Sequence, residues 1–270
     1  YELEFISLQN LKNMFMKQMK FLLVALMAVV MSVSVTSCMK GDDNTTGSGY
    51  TVAKVKSNMS SISFTTIDGY TLLAGANSSL TTAKPGDFVY LAYTYDRETD
   101  VDAASKTIKI TIAGAQIVSG NPILGIQKSE DGESYKSNKP VITISDGVLS
   151  PLMFDNDNLI LPIQYYAKED ASKHKFTLVY YTDKLKGDKN GEDKNDGLTL
   201  YLRHNSEETG EGTHIFSYKT FDISRAISAY YREYGNSYPS KIYIEIEKNS
   251  NTDGKVPETT TSTSFDYTHK

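Results

Sequence analysis

The single cysteine of the chain, Cys38, is the residue whose setting most clearly predicts chemistry. An aliphatic residue, Val35, lies three positions before it, and the small residues Thr36 and Ser37 stand between them. This spacing is that of the bacterial lipobox, in which the thiol is acylated and the cysteine becomes the first residue of the mature chain. A lone thiol forms no internal disulfide, which favours lipidation over redox chemistry. We predict lipidation at Cys38, and no cysteine nucleophile or thiolate metal site.

The segment before Cys38 has the features of a secretory signal. Lys17 and Lys20 give it a basic start, and the apolar run at residues 21–35 is short for a bilayer span. A single transmembrane helix or a buried core helix is the alternative. Residues 1–13 precede the first methionine, Met14, and we treat them as upstream of the true start. Residues 1–37 are therefore predicted to be an upstream segment and signal peptide.

The composition limits the partners of the mature chain. Removal of residues 1–37 leaves 233 residues with 25 basic and 31 acidic side chains, a net charge of −6. Nucleic-acid binding needs a basic face, so we predict no nucleic-acid partner. Nineteen Tyr and ten Phe, with frequent Asp-Gly and Asn-Gly turns, are typical of strands. The chain is long enough for one large all-β domain or two ordinary domains.

Hydrophobic alternation divides the mature chain in two. Residues 38–49 are a polar tether, residues 50–127 contain short strands typical of a small barrel, residues 128–139 are a linker or a long loop, and residues 140–270 contain longer strands typical of a β-sandwich. The predicted strands are residues 50–56, 61–66, 70–74, 88–95, 106–112, 159–166, 175–182, 198–204 and 241–247, with a last edge strand near 259–264. One helix is predicted at residues 223–234, with Asp222 as its N-cap and Gly235 at its end.

Two histidines are the first candidates for a metal site. His204 ends the inward face of its strand, and His174 opens the neighbouring strand, so we predict that they lie close together. Two imidazoles in this position would either share a zinc ion or form a hydrogen-bonded pair. No H-x-H spacing and no fixed carboxylate accompany them.

Two acidic segments contain the oxygen ligands that calcium prefers. They are residues 188–193 and residues 155–158. The EF-hand register fails in the first, because Asp193 stands where the glycine should be. Solvated turns are the alternative for both. We assign no metal site and no cofactor.

Adjacent tyrosines are the candidates for ligand contact. The pairs Tyr165-Tyr166, Tyr180-Tyr181 and Tyr230-Tyr231 would either stack on sugars or pack one ring and leave the other at the rim. The sequence contains no G-x-S-x-G motif and no Walker glycine loop. We therefore assign no catalytic residue and predict a protein that is not an enzyme, with paired carboxylates of a hydrolase left open.

Several segments together resemble the NigD-like lipoproteins of Bacteroidetes. They are TTIDGYTLLAGANSSL, KPGDFVYLAYTY, HKFTLVYYTDK, DGLTLYLRHNSEETGEG and FDIS. The resemblance implies an N-terminal OB-type barrel followed by a C-terminal β-sandwich. Together with the predicted helix, this gives an all-β fold with one short helix. The role of the family is largely undefined, and its name comes from a bacteriocin gene cluster.

Lys40, Asp42 and Asp43 also resemble the acidic tract of Bacteroidetes lipoproteins that reach the outer face of the outer membrane, with an ordinary solvated linker as the alternative. We therefore expect a non-enzymatic, lipid-anchored protein of the outer membrane, exposed on the surface, that binds a protein partner or a glycan. A polysaccharide hydrolase and a bacteriocin-related protection protein are the alternatives.

Overall fold

The computed structural model describes residues 45–58, 61–75, 83–118, 123–128, 133–145, 150–168, 171–183, 197–208 and 212–269. Cys38, the signal segment before it and the acidic loop at residues 188–193 lie outside these ranges. Within them, the chain is mostly β-strand with one α-helix. No helix of this part of the chain combines the length and the apolar character needed to cross a membrane.

The first half of the described chain forms a closed barrel of five strands. These are β1 (Thr46–Asn58), β2 (Ile62–Thr66), β3 (Thr71–Ala74), β4 (Phe88–Asp96) and β6 (Thr107–Ile117), with the short β5 (Val101–Asp102) beside β6. β1 pairs antiparallel with both β2 and β4, and β6 closes the barrel by pairing antiparallel with β4 and parallel with β3. This is the strand order of an OB-type barrel, and the predicted fold of this half is confirmed.

Alternation along the strands fills the barrel with apolar side chains. Leu91 on β4, Phe64 on β2 and Leu72 on β3 are fully buried in one cluster. Ile110 on β6 is buried in the same cluster, while Lys109 and Thr111 on the other face are exposed. The inward face predicted for this strand is therefore confirmed.

The second half contains two sheets that face each other. The larger sheet has the order β14 (Thr261–Asp266), β13 (Lys241–Ile246), β11 (Gly197–Ser206), β10 (His174–Tyr181) and β7 (Ile123–Gln127). The smaller sheet has the order β12 (Thr213–Asp222), β9 (Asn158–Ala167) and β8 (Leu152–Met153). Leu161 on β9, Leu178 on β10 and Ile244 on β13 are fully buried between the sheets. The predicted β-sandwich is therefore present.

The helix α1 (Ser224–Glu233) closes this core. Ala226, Ile227 and Tyr230 form its buried stripe and belong to the core between the two sheets. The predicted N-cap is displaced by one position: Ile223 occupies the cap, and Asp222 accepts a hydrogen bond from the Ser224 N–H.

The outer face of the smaller sheet contacts the barrel. Tyr218 on β12 stacks on Tyr90 of β4, with ring centroids 5.9 Å apart. Phe88 of β4 meets Phe154 edge to face, with centroids 5.0 Å apart. Among the described residues, no strand of the barrel pairs with either of the other sheets. The two halves are therefore joined by side chains rather than by a shared ladder.

The barrel begins earlier than the sequence predicts. The last residues of the expected tether, 46–49, lie in β1 and pair with β4. Tyr95 and Tyr93 lie over Gly47 and Gly49, where an added Cβ would stand 2.6 Å from a ring atom. These glycines, which suggested a tether, make room for the tyrosine rings.

The sandwich also begins earlier than predicted. β7 belongs to the larger sheet, where it pairs parallel with β10, and not to the barrel. Its Leu124 and Ile126 pack against the sandwich core, which explains the placement.

The described part of the predicted linker is fixed to the larger sheet. The N–H groups of Asn138 and Lys139 both donate to the His204 carbonyl, at 3.1 and 3.2 Å. The Val141 N–H donates to the Glu247 carbonyl at 3.0 Å. This segment therefore runs between the ends of β11 and β13 as part of the fold.

Candidate functional site

A surface cavity of about 450 Å³ lies beside the outer face of α1. We call it the arginine pocket, and its lining residues are Tyr180, Ser224, Arg225, Ser228, Tyr231, Arg232 and Tyr238. The buried stripe of α1 fixes the orientation of the helix, so the residues on its opposite face line the cavity. Arg225 and Arg232 are two turns apart on that face, and both are exposed.

Tyr180 connects the pocket to the core. The residue lies on β10 and is 4% exposed, yet it lines the cavity. Its hydroxyl makes no hydrogen bond within the described part of the chain. Burial raises the pKa of Tyr180, and the charges of Arg225 and Arg232 act in the opposite direction. Both guanidinium groups are therefore within electrostatic reach of a hydroxyl that remains protonated and available as a donor.

The two arginines carry the charge of the pocket. Arg232 donates from Nε to the Ser228 carbonyl at 3.2 Å. This bond orients the guanidinium group and does not use its two terminal nitrogens. Arg225 has no ion-pair partner in the part of the chain that the structure describes. No carboxylate is among the lining residues. The pocket is therefore locally cationic in a chain whose net charge is negative.

A row of aromatic rings extends from the pocket across the surface. Tyr231 and Tyr238 have ring centroids 4.6 Å apart, and Tyr238 stacks on His269 at 3.7 Å with an angle of 11°. We call these three residues the aromatic ledge. Tyr238 is 44% exposed, so part of the ledge is open to solvent.

Tyr267 fixes the end of the aromatic ledge. Its hydroxyl donates to the Asn156 carbonyl at 3.2 Å, and it therefore accepts from His269 Nδ1 at 3.0 Å. Burial, with the nearby Asp157 and Tyr238, raises the pKa of Tyr267 to about 12, so the hydroxyl keeps its proton. These two bonds place the ring proton of His269 on Nδ1.

The predicted contact between His174 and His204 is confirmed. Their strands pair antiparallel, and His174 Nδ1 lies 2.8 Å from His204 Nε2. His204 Nδ1 lies 2.8 Å from the Pro140 carbonyl, and His174 Nε2 lies 3.0 Å from Glu208 Oε2. The two histidines are thus the middle members of a chain of four groups, which we call the histidine relay.

The order of protons along the histidine relay follows from its two ends. A carbonyl only accepts, so His204 donates from Nδ1 to Pro140 and accepts from His174 at Nε2. A carboxylate also only accepts, so a proton must lie between His174 Nε2 and Glu208. Burial lowers the pKa of His204 to about 3, partly opposed by the bond to Pro140. His204 is therefore neutral, as this order requires.

The geometry of the histidine pair fits the hydrogen bond and not a shared zinc ion. Two nitrogens bound to one tetrahedral zinc at 2.0–2.1 Å would stand about 3.3 Å apart. The facing nitrogens are closer, at 2.8 Å, and the outer nitrogen of each ring already has a partner. Among the described residues, no group of three or more His, Cys, Asp or Glu side chains is placed to hold a metal ion.

Tyr165 covers the histidine relay from the smaller sheet. Its ring centroid lies 5.0 Å from that of His174 and 5.3 Å from that of His204. Burial, with the charge of Glu208, raises the pKa of Tyr165 to about 12. The relay is therefore enclosed and has a structural rather than a ligand-binding geometry.

A second cavity, of about 400 Å³, opens beside the histidine relay. It is lined by Asn138, Lys173, Lys175, Asn205, Ser206 and Glu207. The Asn138 side chain already donates to the Ser206 carbonyl and accepts from its N–H. Glu207 offsets part of the lysine charge, so this cavity is a weaker candidate than the arginine pocket.

Sequence reasoning missed a buried ion pair on the outer face of the larger sheet. Arg203 donates to Glu247 and, at 3.0 Å, to the Tyr181 hydroxyl. Ser137 donates to the same carboxylate at 2.8 Å. Glu247 is only 9% exposed, because residues before β8 cover this face.

The described calcium candidate is a turn closed by its own hydrogen bonds. Asp155 accepts from the N–H groups of Asp157 and Asn158, from the Asn158 amide and from Lys54 at 3.2 Å. Burial opposes ionisation of Asp155, but these donors outweigh it and lower its pKa. The carboxylate is thus already satisfied, which supports the solvated-turn alternative.

The tyrosine pairs alternate as strand and helix geometry requires. Tyr165 is fully buried and Tyr166 half-buried, while Tyr230 is buried and Tyr231 half-buried at the arginine pocket. Tyr180 and Tyr181 face opposite sides of the larger sheet, yet both are buried. Two of the six tyrosines, Tyr180 and Tyr231, line the candidate site.

Solved structures share this fold at low sequence identity. A candidate lipoprotein of Bacteroides fragilis matches with a TM-score of 0.67 and 24% identity over 83% of this chain and 99% of its own. A Bacteroides vulgatus protein of unknown function matches with a TM-score of 0.56 and 15% identity over 82% and 92% of the two chains. A NigD-like immunity protein of Bacteroides caccae matches with a TM-score of 0.49 and 15% identity over 85% and 99%.

What the first two of these neighbours share with this chain is the fold. None of the three is named as an enzyme. No protein-family model matches the chain, and no curated protein matches it.

Proposed function

We propose that the protein is a lipid-anchored, non-enzymatic protein of the outer membrane, exposed at the cell surface, that binds a glycan through the arginine pocket. Cys38 with its preceding signal segment supports the anchor, and a candidate lipoprotein is among the structural neighbours. One observation carries the binding function: the half-buried Tyr231 and the exposed Tyr238 line a cavity with two guanidinium groups, and no carboxylate is among the lining residues that the structure describes.

The chemistry of the pocket suits a saccharide. Tyrosine presents a flat apolar face with a polar edge, which matches the C–H face and the rim hydroxyls of a pyranose ring. Ser224, Ser228 and Tyr180 add hydroxyls that both donate and accept hydrogen bonds. The cavity lies beside α1, which is anchored to the sandwich core by its buried stripe.

A glycosidase would need a different site. Hydrolysis requires two carboxyl groups about 5–10 Å apart on either side of the sugar. The described lining of the arginine pocket contains none, so the pocket offers no acid–base pair. Incubation of the protein with a bound oligosaccharide should therefore release no new reducing ends.

Glycan binding is tested with the soluble chain from residue 39 onward on a glycan array, followed by calorimetry on the ligands that bind. Tyr238→Ala should weaken binding at least about ten-fold, because it removes an exposed ring of the aromatic ledge. Tyr166→Ala is the matched control, since Tyr166 is a half-buried rim tyrosine outside the pocket. Loss of binding in Tyr166→Ala with normal binding in Tyr238→Ala would contradict the proposed site.

The anchor is tested separately in the native host. Cys38→Ala should release the protein from membranes or leave its signal uncleaved, because the acylated cysteine supplies the membrane attachment. Metabolic labelling with a fatty acid should mark the wild-type protein and not the variant.

A further inference from the structure

We infer that the arginine pocket selects saccharides that carry a carboxylate, with hexuronic acids as the ligand class. The inference rests on the proposed glycan-binding function and specifies its chemistry. A neutral sugar would use the tyrosines and serines but would leave both guanidinium groups without a counter-charge.

The placement of the charges supports a single acidic group as their partner. Arg225 and Arg232 both line the cavity, and both act electrostatically on the same Tyr180 hydroxyl. A carboxylate in front of that hydroxyl would accept from Tyr180 and from one or both arginines. Arginine is suited to this role because its planar fork donates two parallel hydrogen bonds to a carboxylate.

The Tyr180 hydroxyl is the second, independent feature that indicates a ligand. Tyr180 is 4% exposed, and its hydroxyl has no hydrogen-bond partner among the described residues although it lines the cavity. A polar atom in this position is ordinarily satisfied by water or by a ligand. An acceptor oxygen at the base of the pocket would supply the missing partner.

The aromatic ledge sets the direction of the sugar ring. Tyr231 lines the same cavity as both arginines, and Tyr238 continues the surface towards His269. With its carboxylate at Tyr180, a uronic acid would place its ring over Tyr231 and the next residue of the chain over Tyr238. The pocket would then hold one acidic unit and the ledge one further unit.

The test compares an oligogalacturonate with its methyl ester, which keeps the ring and removes the charge. The wild-type protein should bind the acid at least about ten-fold more tightly, because charge-assisted hydrogen bonds to arginine are about twice as strong as neutral ones. Arg225→Gln and Arg232→Gln should each reduce the preference to about three-fold or less. Lys175→Gln removes one charge from the second cavity and should keep the full preference.

The outcomes separate this inference from the proposed function. Equal binding of the acid and its ester would overturn acid selection and leave glycan binding intact. Binding of neither, together with an array on which no saccharide is bound, would overturn both. Tighter binding of a sulfated oligosaccharide than of the uronate would show a general anion site and contradict carboxylate selection. Tyr180→Phe keeps the ring and removes the hydroxyl. It should weaken binding of the acid more than binding of the ester.

Discussion

At the scale of single residues, the histidine relay stabilises the end of the sandwich where three elements meet. Glu208 Oε2 accepts from His174 and from the Lys168 N–H, at 3.0 and 2.8 Å, and so ties the residue after β11 to the end of β9 and the start of β10. A hydrogen bond to a carboxylate is charge-assisted, and both side chains of this pair are buried. Removal of either partner leaves the other buried without its counterpart.

Glu208→Ala should therefore lower the free energy of unfolding by about 2–4 kcal/mol. Glu208→Gln should cost less, because its amide can donate to a neutral His174. Glu207→Ala is the matched control, since Glu207 is the exposed neighbour, and it should change stability by less than about 0.5 kcal/mol. Urea unfolding of the three variants measures the differences, and equal losses for Glu207 and Glu208 would contradict the relay's role.

His204 should give folding a recognisable pH dependence. Its pKa is about 3 in the folded chain and 6.5 ordinarily, so below about pH 6.5 the unfolded chain binds a proton that the folded chain does not. The free energy of unfolding should fall as the pH is lowered from about 6.5 towards 3, by up to about 1.4 kcal/mol per pH unit.

Two histidine-to-asparagine variants isolate the contribution of His204 to the pH dependence of stability. His204→Asn keeps a donor for Pro140 and should make the pH profile of stability flatter, although the variant is less stable at neutral pH. His214→Asn changes an exposed histidine on β12 and should leave the profile unchanged. If the free energy of unfolding of His204→Asn depended on pH as steeply as that of the wild type, groups other than His204 would be responsible for the loss of stability in acid.

At the scale of elements, Gly212 controls the approach of β12 to β9. It precedes the first residue pair of this ladder, Thr213 with Ala167, and an added Cβ would lie 2.6 Å from the Ala167 carbonyl carbon. Because the obstacle is backbone, a side chain could fit only if the strands separated. Gly212→Ala should destabilise the protein by about 1–3 kcal/mol.

Gly114→Ala is the control for that prediction. Gly114 lies within β6, and its added Cβ would meet only the Ala92 Cβ, at an ordinary 3.9 Å. The melting temperature of this variant should be close to that of the wild type. A Gly212→Ala variant of unchanged melting temperature would show that the β9–β12 ladder tolerates the displacement.

Strands with one uniform inner face were predictable from the sequence. The predicted strand at residues 241–247 alternates cleanly, and Ile242, Ile244 and Ile246 on one of its faces are all buried in β13. β12 was not recognised, because Ser217 and Lys219 interrupt its inner face and its outer face is buried against the barrel. Lys219 lies over the Phe176 ring at 5.8 Å, and burial lowers its pKa. β7 was assigned to the wrong half because its parallel pairing with β10 is made across about 50 residues of chain.

The candidate site was only partly predictable, because it too combines residues that are distant in the sequence. The sequence indicated α1 and singled out Tyr180 and Tyr231, but the arginine pocket joins residues of β10, α1 and the segment after it. The spacing of Arg225 and Arg232 on the polar face of the helix was the available signal. Nothing local connects that face to Tyr180, so only the packing of α1 onto the sandwich brings them together.

At the scale of the whole molecule, the smaller sheet links the two cores. One of its faces belongs to the sandwich core, and the other carries Ile160 and Thr220, which are 1% and 6% exposed. Lys54 of the barrel also pairs with Asp155 beside β9, at 3.2 Å. Separate barrel and sandwich domains remain our prediction for the chain's organisation, but an isolated sandwich would expose this second face.

We therefore expect the two cores to unfold together in the intact protein and to separate when the contact is weakened. Tyr90 is the residue to change, because its ring stacks on Tyr218 while its buried hydroxyl has no hydrogen-bond partner among the described residues. Tyr90→Phe keeps the ring, removes the unsatisfied hydroxyl and should be at least as stable as the wild type. Tyr90→Ala removes the ring and should lower stability by about 3–5 kcal/mol.

Hydrogen exchange read separately on β4 and on β9 measures the coupling. In the wild type and in Tyr90→Phe, both strands should lose protection at the same denaturant concentration, because each core supports the other through the stacked rings. In Tyr90→Ala the barrel should open first, since it is smaller and loses a larger share of its contacts. Separate transitions already present in the wild type would mean that the side-chain contacts do not couple the cores, and the two halves would then be independent domains.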